Sequence, residues 1–227
     1  NKYKIETIFH LAALARIQPS FDDPLKTLEI NTIGTANVCN LAKKINAKVI
    51  YAGSSSFYAG PYLNPYAFSK WQGEEICKMF SKTYGVSTAN ARFFNVFGPG
   101  QPADGPYATV VGIFERQYLS GEPLTITGDG EQRRDFTHVC DIVNGLILMS
   151  QKKWSGDIFN LGTGKNHSIN ELAKLFNHNT KYIAKRPGEA KSALADISFS
   201  KAEIGYAPEE SIEKYIKNWK KNKVSKD

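Results

Sequence analysis

Apolar and polar positions along the chain alternate between short apolar runs and longer amphipathic stretches. The runs "ETIFHLAAL", "KVIYAGS" and "STANARFFNVFG" predict buried strands at about residues 5–12, 47–53 and 88–96. The stretches between them, 24–45 and 65–84, have the length and pattern of helices. Strands that alternate with helices through short connections predict a parallel sheet with right-handed crossovers. We therefore expect an α/β protein with both helices packed on one side of the sheet.

The pattern becomes irregular after about residue 98. A Gly/Pro-rich stretch, "GPGQPADGPYATVV", precedes a predicted helix at 110–120. The run "PLTITGDGEQRRDFTHV" predicts a strand, or a hairpin that turns on "GDG". A helix follows at 138–151, then a strand in "GDIFNLGTG". Ser168 and Glu171 form a capping box that predicts the start of a further helix, "SINELAKLF".

These segments predict two interleaved units without a sharp linker. We expect residues 1–100 to form part of a parallel-sheet domain, to which segments near 131–163 return. Most of 101–227 forms a smaller mixed lobe. A chain of 227 residues with 41% hydrophobic and 22% charged residues is of ordinary globular composition and long enough for this arrangement.

Membrane, metal and disulfide chemistry are not indicated. No apolar run is long enough to cross a bilayer, and the first residues lack a signal-peptide pattern. The cysteines, Cys39, Cys77 and Cys140, form no CxxC pair and are odd in number, which favours a reduced, cytoplasmic protein. The four histidines show no metal-ligand spacing, so we expect no metal.

The net charge of +7 raises the question of a nucleic-acid partner. Much of the excess lies in the tail "EKYIKNWKKNKVSKD". A lysine-rich helix is ordinarily a solvated face, and the chain shows neither basic residues interleaved with aromatic ones nor a known binding motif. We therefore expect no nucleic-acid partner.

The candidate chemistry lies in "SSSFYAGPYLNPYAFSK". Asn64 and Pro65 are typical of a helix start, which puts Tyr66 and Lys70 one turn apart on one helix face. A phenol, with a pKa of about 10, becomes a better base when an ammonium lies nearby. Ser54, at the end of the preceding strand, is placed to bind the same substrate hydroxyl. The alternative is coincidence, since 11 tyrosines in a lysine-rich chain give about one Tyr-x-x-x-Lys by chance.

Other segments, taken in order, decide between these interpretations. They are "IFHLAA", "NTIGTANV", "SSSFY", "YAFSK", "RFFNVFGPGQ", "GDGEQRRDFTHVCDI", "FNLGTG" and "RPGE…AD". Over nearly its whole length the chain resembles the extended short-chain dehydrogenase/reductases, within them the nucleotide-sugar epimerases and dehydratases, and most of all UDP-glucose and UDP-N-acetylglucosamine 4-epimerases. The resemblance implies a Rossmann-like domain that binds NAD, a lobe that binds a UDP-sugar, and a homodimer formed through helices 24–45 and 65–84.

The resemblance also implies roles for individual residues. Tyr66 is the general base, Lys70 holds the nicotinamide ribose and lowers the pKa of the tyrosine, and Ser54 binds the substrate hydroxyl. The cofactor-binding residues are Leu11, Ala12, Ala13, Leu14, Ala15, Tyr66, Lys70 and Phe94. The substrate-binding residues are Ser54, Asn95, Arg134, Arg186 and Ala193. Without this motif context, the two arginines would be interpreted as members of surface ion pairs.

The reaction is indicated by what replaces the acidic residues of related enzymes. Dehydratases and decarboxylases of the group carry a carboxylate in the segment that here contains Ser55 and Ser56. Elimination needs that carboxylate, whereas 4-epimerisation needs only oxidation at C4, rotation of the keto sugar and return of the hydride. The resemblance therefore favours a 4-epimerase. A dehydratase, decarboxylase or reductase of the same group, and an inactive module that keeps the fold, stay open as alternatives.

The chain departs from the family pattern in two places. The G-x-x-G-x-x-G turn that cradles the cofactor pyrophosphate is not found, because residue 1 falls near the family's fourth strand. We therefore expect the sequence to be a fragment, with poor NAD affinity unless the missing part is supplied. The connection from Ser56 to Tyr66 is also shorter than is usual in the family.

Overall fold

The computed structural model describes residues 3–224 and shows an α/β architecture. The strands are β1 (Thr7–His10), β2 (Lys48–Ser54), β3 (Thr88–Phe93), β4 (Asn95–Phe97), β5 (Leu124–Thr127), β6 (Arg133–Arg134), β7 (Phe136–His138), β8 (Ser155–Leu161), β9 (His167–Ser168) and β10 (Thr180–Ile183). The α-helices are α1 (Ile17–Asp22), α2 (Pro24–Leu28), α3 (Gly34–Ile45), α4 (Pro65–Tyr84), α5 (Val110–Leu119), α6 (Val139–Ser150), α7 (Ile169–Phe176), α8 (Ser198–Ile204) and α9 (Ile212–Val224).

The main sheet has the strand order β1-β2-β3-β8, and every neighbouring pair is parallel. Side chains alternate between its two faces, as the period of a strand requires. Val49 and Tyr51 pack against α3 and α4, whereas Ile50 packs with residues of α6 and α8. The predicted parallel sheet, with the two helical segments on one side, is confirmed.

The predicted helix 24–45 is interrupted. A π-helical segment, Glu29–Ile33, separates α2 from α3. It contains Asn31, whose side chain is only 1% exposed and forms hydrogen bonds with the backbone of Leu14. π-helical turns are rare and often occur at functional sites. This one directs a polar side chain of the helix to the loop after β1.

Two strand predictions need correction. The predicted strand at 88–96 is not one strand, because β3 stays in the main sheet while β4 pairs in parallel with β7. The hairpin alternative at "GDG" is wrong, because β5 pairs in parallel with β10 instead of with the segment that follows the turn.

The second lobe has its own core. Side chains of β5, α5, α7 and α9 form a cluster that includes Phe114, Leu124, Leu172 and Ile216. The predicted capping box is confirmed, since Ser168 and Glu171 bind each other's backbone at the start of α7. The late helix α8 packs on the sheet domain, so the sequence crosses between the units more than once. No helix within residues 3–224 is long and apolar enough to cross a membrane.

Candidate active site

The central hydroxyl groups meet where β2 ends and α4 begins. Asn64 caps α4 by accepting the Ala67 N–H at 2.8 Å, which fixes Tyr66 in the first turn of the helix. Parallel strands bring their carboxyl ends to one edge of the sheet, and Ser54 is the last residue of β2. The Tyr66 hydroxyl donates to Ser54 Oγ at 3.3 Å. The structure therefore brings together two of the predicted site residues.

Ser54 extends this contact into a small hydroxyl network. Its Oγ donates to Ser56 Oγ at 3.1 Å and accepts the Ser56 N–H at 3.2 Å. Ser54 itself is 7% exposed, and the chain after it forms a 3-10 turn, Ser55–Ala59. The network contains hydroxyl groups but no carboxylate. It can orient a substrate hydroxyl and transfer its proton, which is acid–base chemistry without an acidic side chain.

Lys70 lies one turn beyond Tyr66 and is 4% exposed. Its ammonium lies 4.4 Å from the centre of the Tyr51 ring, and Nζ has no hydrogen-bond acceptor within the described part of the chain. Burial lowers the pKa of Lys70 to about 8, while the Glu74 carboxylate and Cys77 act in the opposite direction. A buried ammonium with unused donors fits a ligand with paired hydroxyls, such as a ribose.

A second cation, Arg16, acts on Tyr66. Burial raises the pKa of Tyr66, and the influences that lower it are the hydrogen bond with Ser54 and the charge of Arg16. That Lys70 lowers this pKa stays a prediction. The Arg16 guanidinium donates to the Tyr107 carbonyl at 3.0 Å through Nε and has no carboxylate partner within residues 3–224. Sequence reasoning missed Arg16, although it directly follows the predicted cofactor loop.

The predicted cofactor loop, Leu11 to Ala15, follows β1 at the same edge of the sheet. Leu11 is 52% exposed, and Asn31 fixes the position of Leu14. Asn31 accepts the Leu14 N–H at 2.8 Å, and its amide donates to the Leu14 carbonyl and, at 2.9 Å, to Ser69 Oγ. Asn31 thus joins the loop to the helix that carries Tyr66. Its only sequence signal was the motif "NTIGTANV".

Phe94 and Ala195, two residues after Ala193, both lie close to Gly162. Phe94 is 2% exposed, and its ring stacks on Tyr58 with centroids 6.1 Å apart. A side chain at Gly162 would come within 3.1 Å of Phe94 and 2.3 Å of Ala195. The segment that contains Ala193 therefore passes near Phe94. The Ala193 N–H donates to a backbone carbonyl of β6 at 3.0 Å, which fixes this segment beside that strand.

Of the predicted diphosphate ligands, Arg134 is well buried, with 12% of its side chain exposed. Its Nη2 lies 3.7 Å from Glu189 Oε2. Burial lowers the pKa of Arg134, and Glu189 partly opposes that effect. Asn95 is half-buried in β4, where its N–H donates to the Asp135 carbonyl at 2.9 Å. Asn95 comes just after β3 of the main sheet, and the carbonyl that accepts its N–H belongs to Asp135, the residue after Arg134.

Arg186 is exposed, but its loop is anchored to α1 and to the start of α4. Gln18 donates to the Pro187 carbonyl at 3.0 Å, and Asn64 donates to the Gly188 carbonyl at 3.2 Å. Since Asn64 is the N-cap of α4, this loop from the second lobe lies beside the turn that carries Tyr66.

Within the described residues, no group of His, Cys, Asp and Glu side chains is arranged to hold a metal ion.

A parallel α/β sheet with Ser, Tyr and Lys side chains at its carboxyl edge defines a site of the short-chain dehydrogenase/reductase type. Residues 1–162 match the family model described as the NAD dependent epimerase/dehydratase family. The chain belongs to that family.

Its relatives catalyse more than one reaction. The chain is 33% identical to a UDP-glucuronate 4-epimerase from Thermodesulfobacterium geofontis, an alignment that covers 98% of this chain and 74% of the relative. It is 31% identical to UDP-glucuronic acid decarboxylase 1 of Xenopus tropicalis, covering 96% of this chain and 58% of that protein.

Solved structures agree with this assignment. A UDP-N-acetylglucosamine 4-epimerase from Methanobrevibacter ruminantium, in complex with UDP-N-acetylmuramic acid, matches with a TM-score of 0.88 and 33% identity, covering 98% of this chain and 77% of the other. UDP-glucuronic acid 4-epimerase from Bacillus cereus, in complex with UDP-glucuronic acid and NAD, matches with a TM-score of 0.86 and 27% identity, covering 94% and 73%.

Proposed function

We propose that the protein catalyses NAD-dependent 4-epimerisation of UDP-sugars, with Tyr66 as the base. The substrates are UDP-glucose and UDP-galactose, together with their N-acetylhexosamine counterparts. The observation that carries the proposal is the network from Tyr66 through Ser54 to Ser56, which lies beside the buried Lys70 and contains no carboxylate. Epimerisation needs a proton acceptor at the C4 hydroxyl, and it needs no further acid.

Bound NAD supplies a reversible hydride acceptor for C4 of the sugar. Tyr66 removes the proton of the C4 hydroxyl as C4 is oxidised, and Ser54 keeps that hydroxyl oriented by a hydrogen bond. Once the keto sugar has rotated, Tyr66 would return the proton to the C4 oxygen, and bound NAD would supply the hydride for the opposite face. The proton and the hydride both return to the sugar, so the reaction has no net redox change.

The described residues fit one end of the cofactor. Lys70 offers unused donors to the nicotinamide ribose, and the exposed loop from Leu11 to Ala15 lies at the same sheet edge. The ring of Phe94, which stacks on Tyr58, lies beside the nicotinamide. Residues 3–224 contain no Gly-rich turn of the type that holds a pyrophosphate, so they account for the nicotinamide end alone.

The second lobe supplies the sugar and diphosphate contacts. Arg134 and Arg186 bind the diphosphate, since a guanidinium matches phosphate oxygens with two parallel donors. Asn95 contacts the same part of the substrate. Ala193 lies beside the C2 substituent, where a methyl side chain leaves room for an N-acetyl group.

We also propose a homodimer through the helical segments 24–45 and 65–84. We further propose a reducing, cytoplasmic setting, in which the three free thiols are stable.

The test of function is product analysis with the longest form of the protein that its gene encodes. Incubation with UDP-glucose and NAD should give UDP-galactose, whereas a decarboxylase would form a pentose from UDP-glucuronate and a dehydratase a stable keto sugar. Tyr66→Phe should lower kcat on the order of a hundredfold or more. The matched control is Tyr182→Phe, because Tyr182 is 56% exposed on β10, outside the candidate site and the proposed dimer contact. Full activity in Tyr66→Phe would exclude this residue as the base.

A further inference from the structure

An ion pair that the proposed reaction does not use joins the helix of Tyr66 and Lys70 to the neighbouring strand β3. Glu74 follows Lys70 by one turn of α4, and its carboxylate receives Arg92 Nε at 3.0 Å and Nη2 at 2.6 Å. The two side chains are 2% and 6% exposed. Their contact is the bidentate fork that guanidinium and carboxylate groups form when both are held rigidly.

Arg92 also contacts the segment that follows the catalytic serine. Its guanidinium carbon lies 3.7 Å from the centre of the Phe57 ring and 4.9 Å from that of Tyr58. Both aromatic residues belong to the 3-10 turn that begins after Ser54. One guanidinium therefore joins the helix of Tyr66 to the turn that follows Ser54.

The main sheet is shaped around this pair. A side chain at Gly53, the residue before Ser54, would come within 2.6 Å of Glu74 Oε1 and 3.3 Å of Arg92 Cγ. The carboxylate therefore occupies the space that a Cβ on β2 would need. Such packing fixes the distance between the strand end and the helix, because interiors at native density tolerate little displacement.

Glu74 is the carboxylate among the groups that face Lys70. From α4 these groups are Glu74 and Cys77; from β1, His10; and from β2, the Tyr51 ring. Burial, and then the charge of Lys70, lower the pKa of His10 to about 4, so the imidazole is neutral. Hydrogen bonding to Cys39, together with burial, raises the pKa of the Cys77 thiol. Glu74, one turn of α4 from Lys70 and held in place by Arg92, is thus the carboxylate whose charge favours the ammonium form of Lys70.

We propose that the buried Glu74–Arg92 pair is the positioning unit of this site. Glu74 keeps Lys70 in its ammonium form, and Arg92 holds the turn after Ser54 against the helix of Tyr66. Neither residue touches the substrate; both act through Lys70 and Ser54, so the inference rests on the proposed function. Stability alone does not require the pair, because buried ion pairs can often be replaced by apolar residues without loss of stability.

The first test is the pH profile of kcat/KM for Glu74→Gln, with Glu75→Gln as control because Glu75 is the exposed neighbour on the same helix. An opposite charge nearby shifts a pKa by about 1–3 units. Loss of the Glu74 charge should therefore move the alkaline limb to lower pH and reduce kcat/KM at pH 8 roughly tenfold. The control should keep the profile of the unaltered protein. NAD binding at pH 8 should weaken in Glu74→Gln alone, a readout that does not depend on turnover.

The second test separates positioning from folding. Arg92→Lys keeps the charge but loses the fork and the stacking, so kcat should fall about tenfold to a hundredfold while the alkaline limb stays in place. If Glu74→Gln does not fold, the apolar double variant Glu74→Met/Arg92→Met takes its place. This variant should fold, and the alkaline limb of its kcat/KM profile should lie at lower pH than that of the unaltered protein. A folded variant without Glu74 that retains the original limb and NAD affinity would overturn the inference. Failure of the proposed function has a different signature, namely no epimerisation by the unaltered protein.

Discussion

Two cations, Lys70 and Arg16, lie near the phenol of Tyr66 and differ in their electrostatic surroundings. The charge of Glu74, one turn away on α4, raises the pKa of Lys70, but that carboxylate forms its ion pair with Arg92. Burial lowers the pKa of Arg16, whereas Tyr66 and Tyr107 raise it. Of the two cations, Arg16 is the one whose charge lowers the pKa of Tyr66. Its field therefore favours the phenolate of Tyr66, which is the form that accepts a proton.

This difference predicts a pH effect for Arg16→Gln. The pKa of Tyr66 is already raised by burial, and removal of a cation that lowers it raises it further. The acidic limb of kcat should move to higher pH, while Arg16→Lys, which keeps the charge, should move it less. The exposed Arg116 provides the control, since Arg116→Gln should leave the limb unchanged. An unmoved limb in a folded Arg16→Gln variant would show that the guanidinium does not act on the base.

Substrate size should depend on Ala193. In Ala193→Tyr, an aromatic ring would fill the space that the methyl group leaves beside the C2 substituent, and overpacking of a formed pocket is costly. Turnover of UDP-N-acetylglucosamine should fall by roughly tenfold or more, which is the scale of discrimination that one small group provides in a pocket. Turnover of UDP-glucose should be unchanged. The exposed Leu194 provides a control as Leu194→Tyr. Equal loss of both substrates, or loss of neither, would mean that Ala193 does not form this boundary.

At the scale of elements, local signals predicted what local interactions determine. The structure places α4 at the predicted bounds because both of its ends are encoded nearby: Asn64 and Pro65 begin it, and Gly85 ends it with a φ of +69°. The π-helical segment was missed because its cause is distant. Asn31 bonds Leu14, 17 positions earlier in the chain. The break after β3 likewise depends on β7, which pairs with β4 far along the sequence.

The residues of the candidate site likewise fall into those that have a local sequence signal and those that have none. Ser54, Tyr66 and Lys70 were predictable, because all three lie within seventeen residues of sequence. The end of a strand fixes the position of Ser54, and the start of a helix fixes those of Tyr66 and Lys70. Arg16 and the Glu74–Arg92 pair were not, because their importance arises from contacts between elements rather than from a local pattern. Buried charges in particular give no periodic signal, since a lysine, glutamate or arginine in a helix or strand is ordinarily on the surface.

At the scale of the whole molecule, the outer face of α4 carries an apolar surface that no other part of residues 3–224 covers. Tyr62, Phe68 and Trp71 form a mutually contacting aromatic group, and Ile76 and Met79 extend it along the helix. Phe68, Trp71 and Ile76 are half-buried, while Met79 is 43% exposed. A second copy that presents the same two helical segments would cover this face in a symmetric, self-complementary contact. The inner face of the same helix holds Tyr66 and Lys70, so the dimer would also stiffen the catalytic helix.

The dimer predicts a sedimenting mass near twice that of one chain. Met79→Glu should shift the protein toward the monomer, because it places a charge at the centre of an apolar contact where no partner can neutralise it. The matched control is Ile147→Glu, since Ile147 is 49% exposed on α6, which packs on the opposite face of the sheet. Sedimentation velocity across a concentration series distinguishes the two variants, and circular dichroism checks that both remain folded. A monomeric unaltered protein would contradict the dimer, and so would a dimer that Met79→Glu leaves intact, because the interface would then lie elsewhere.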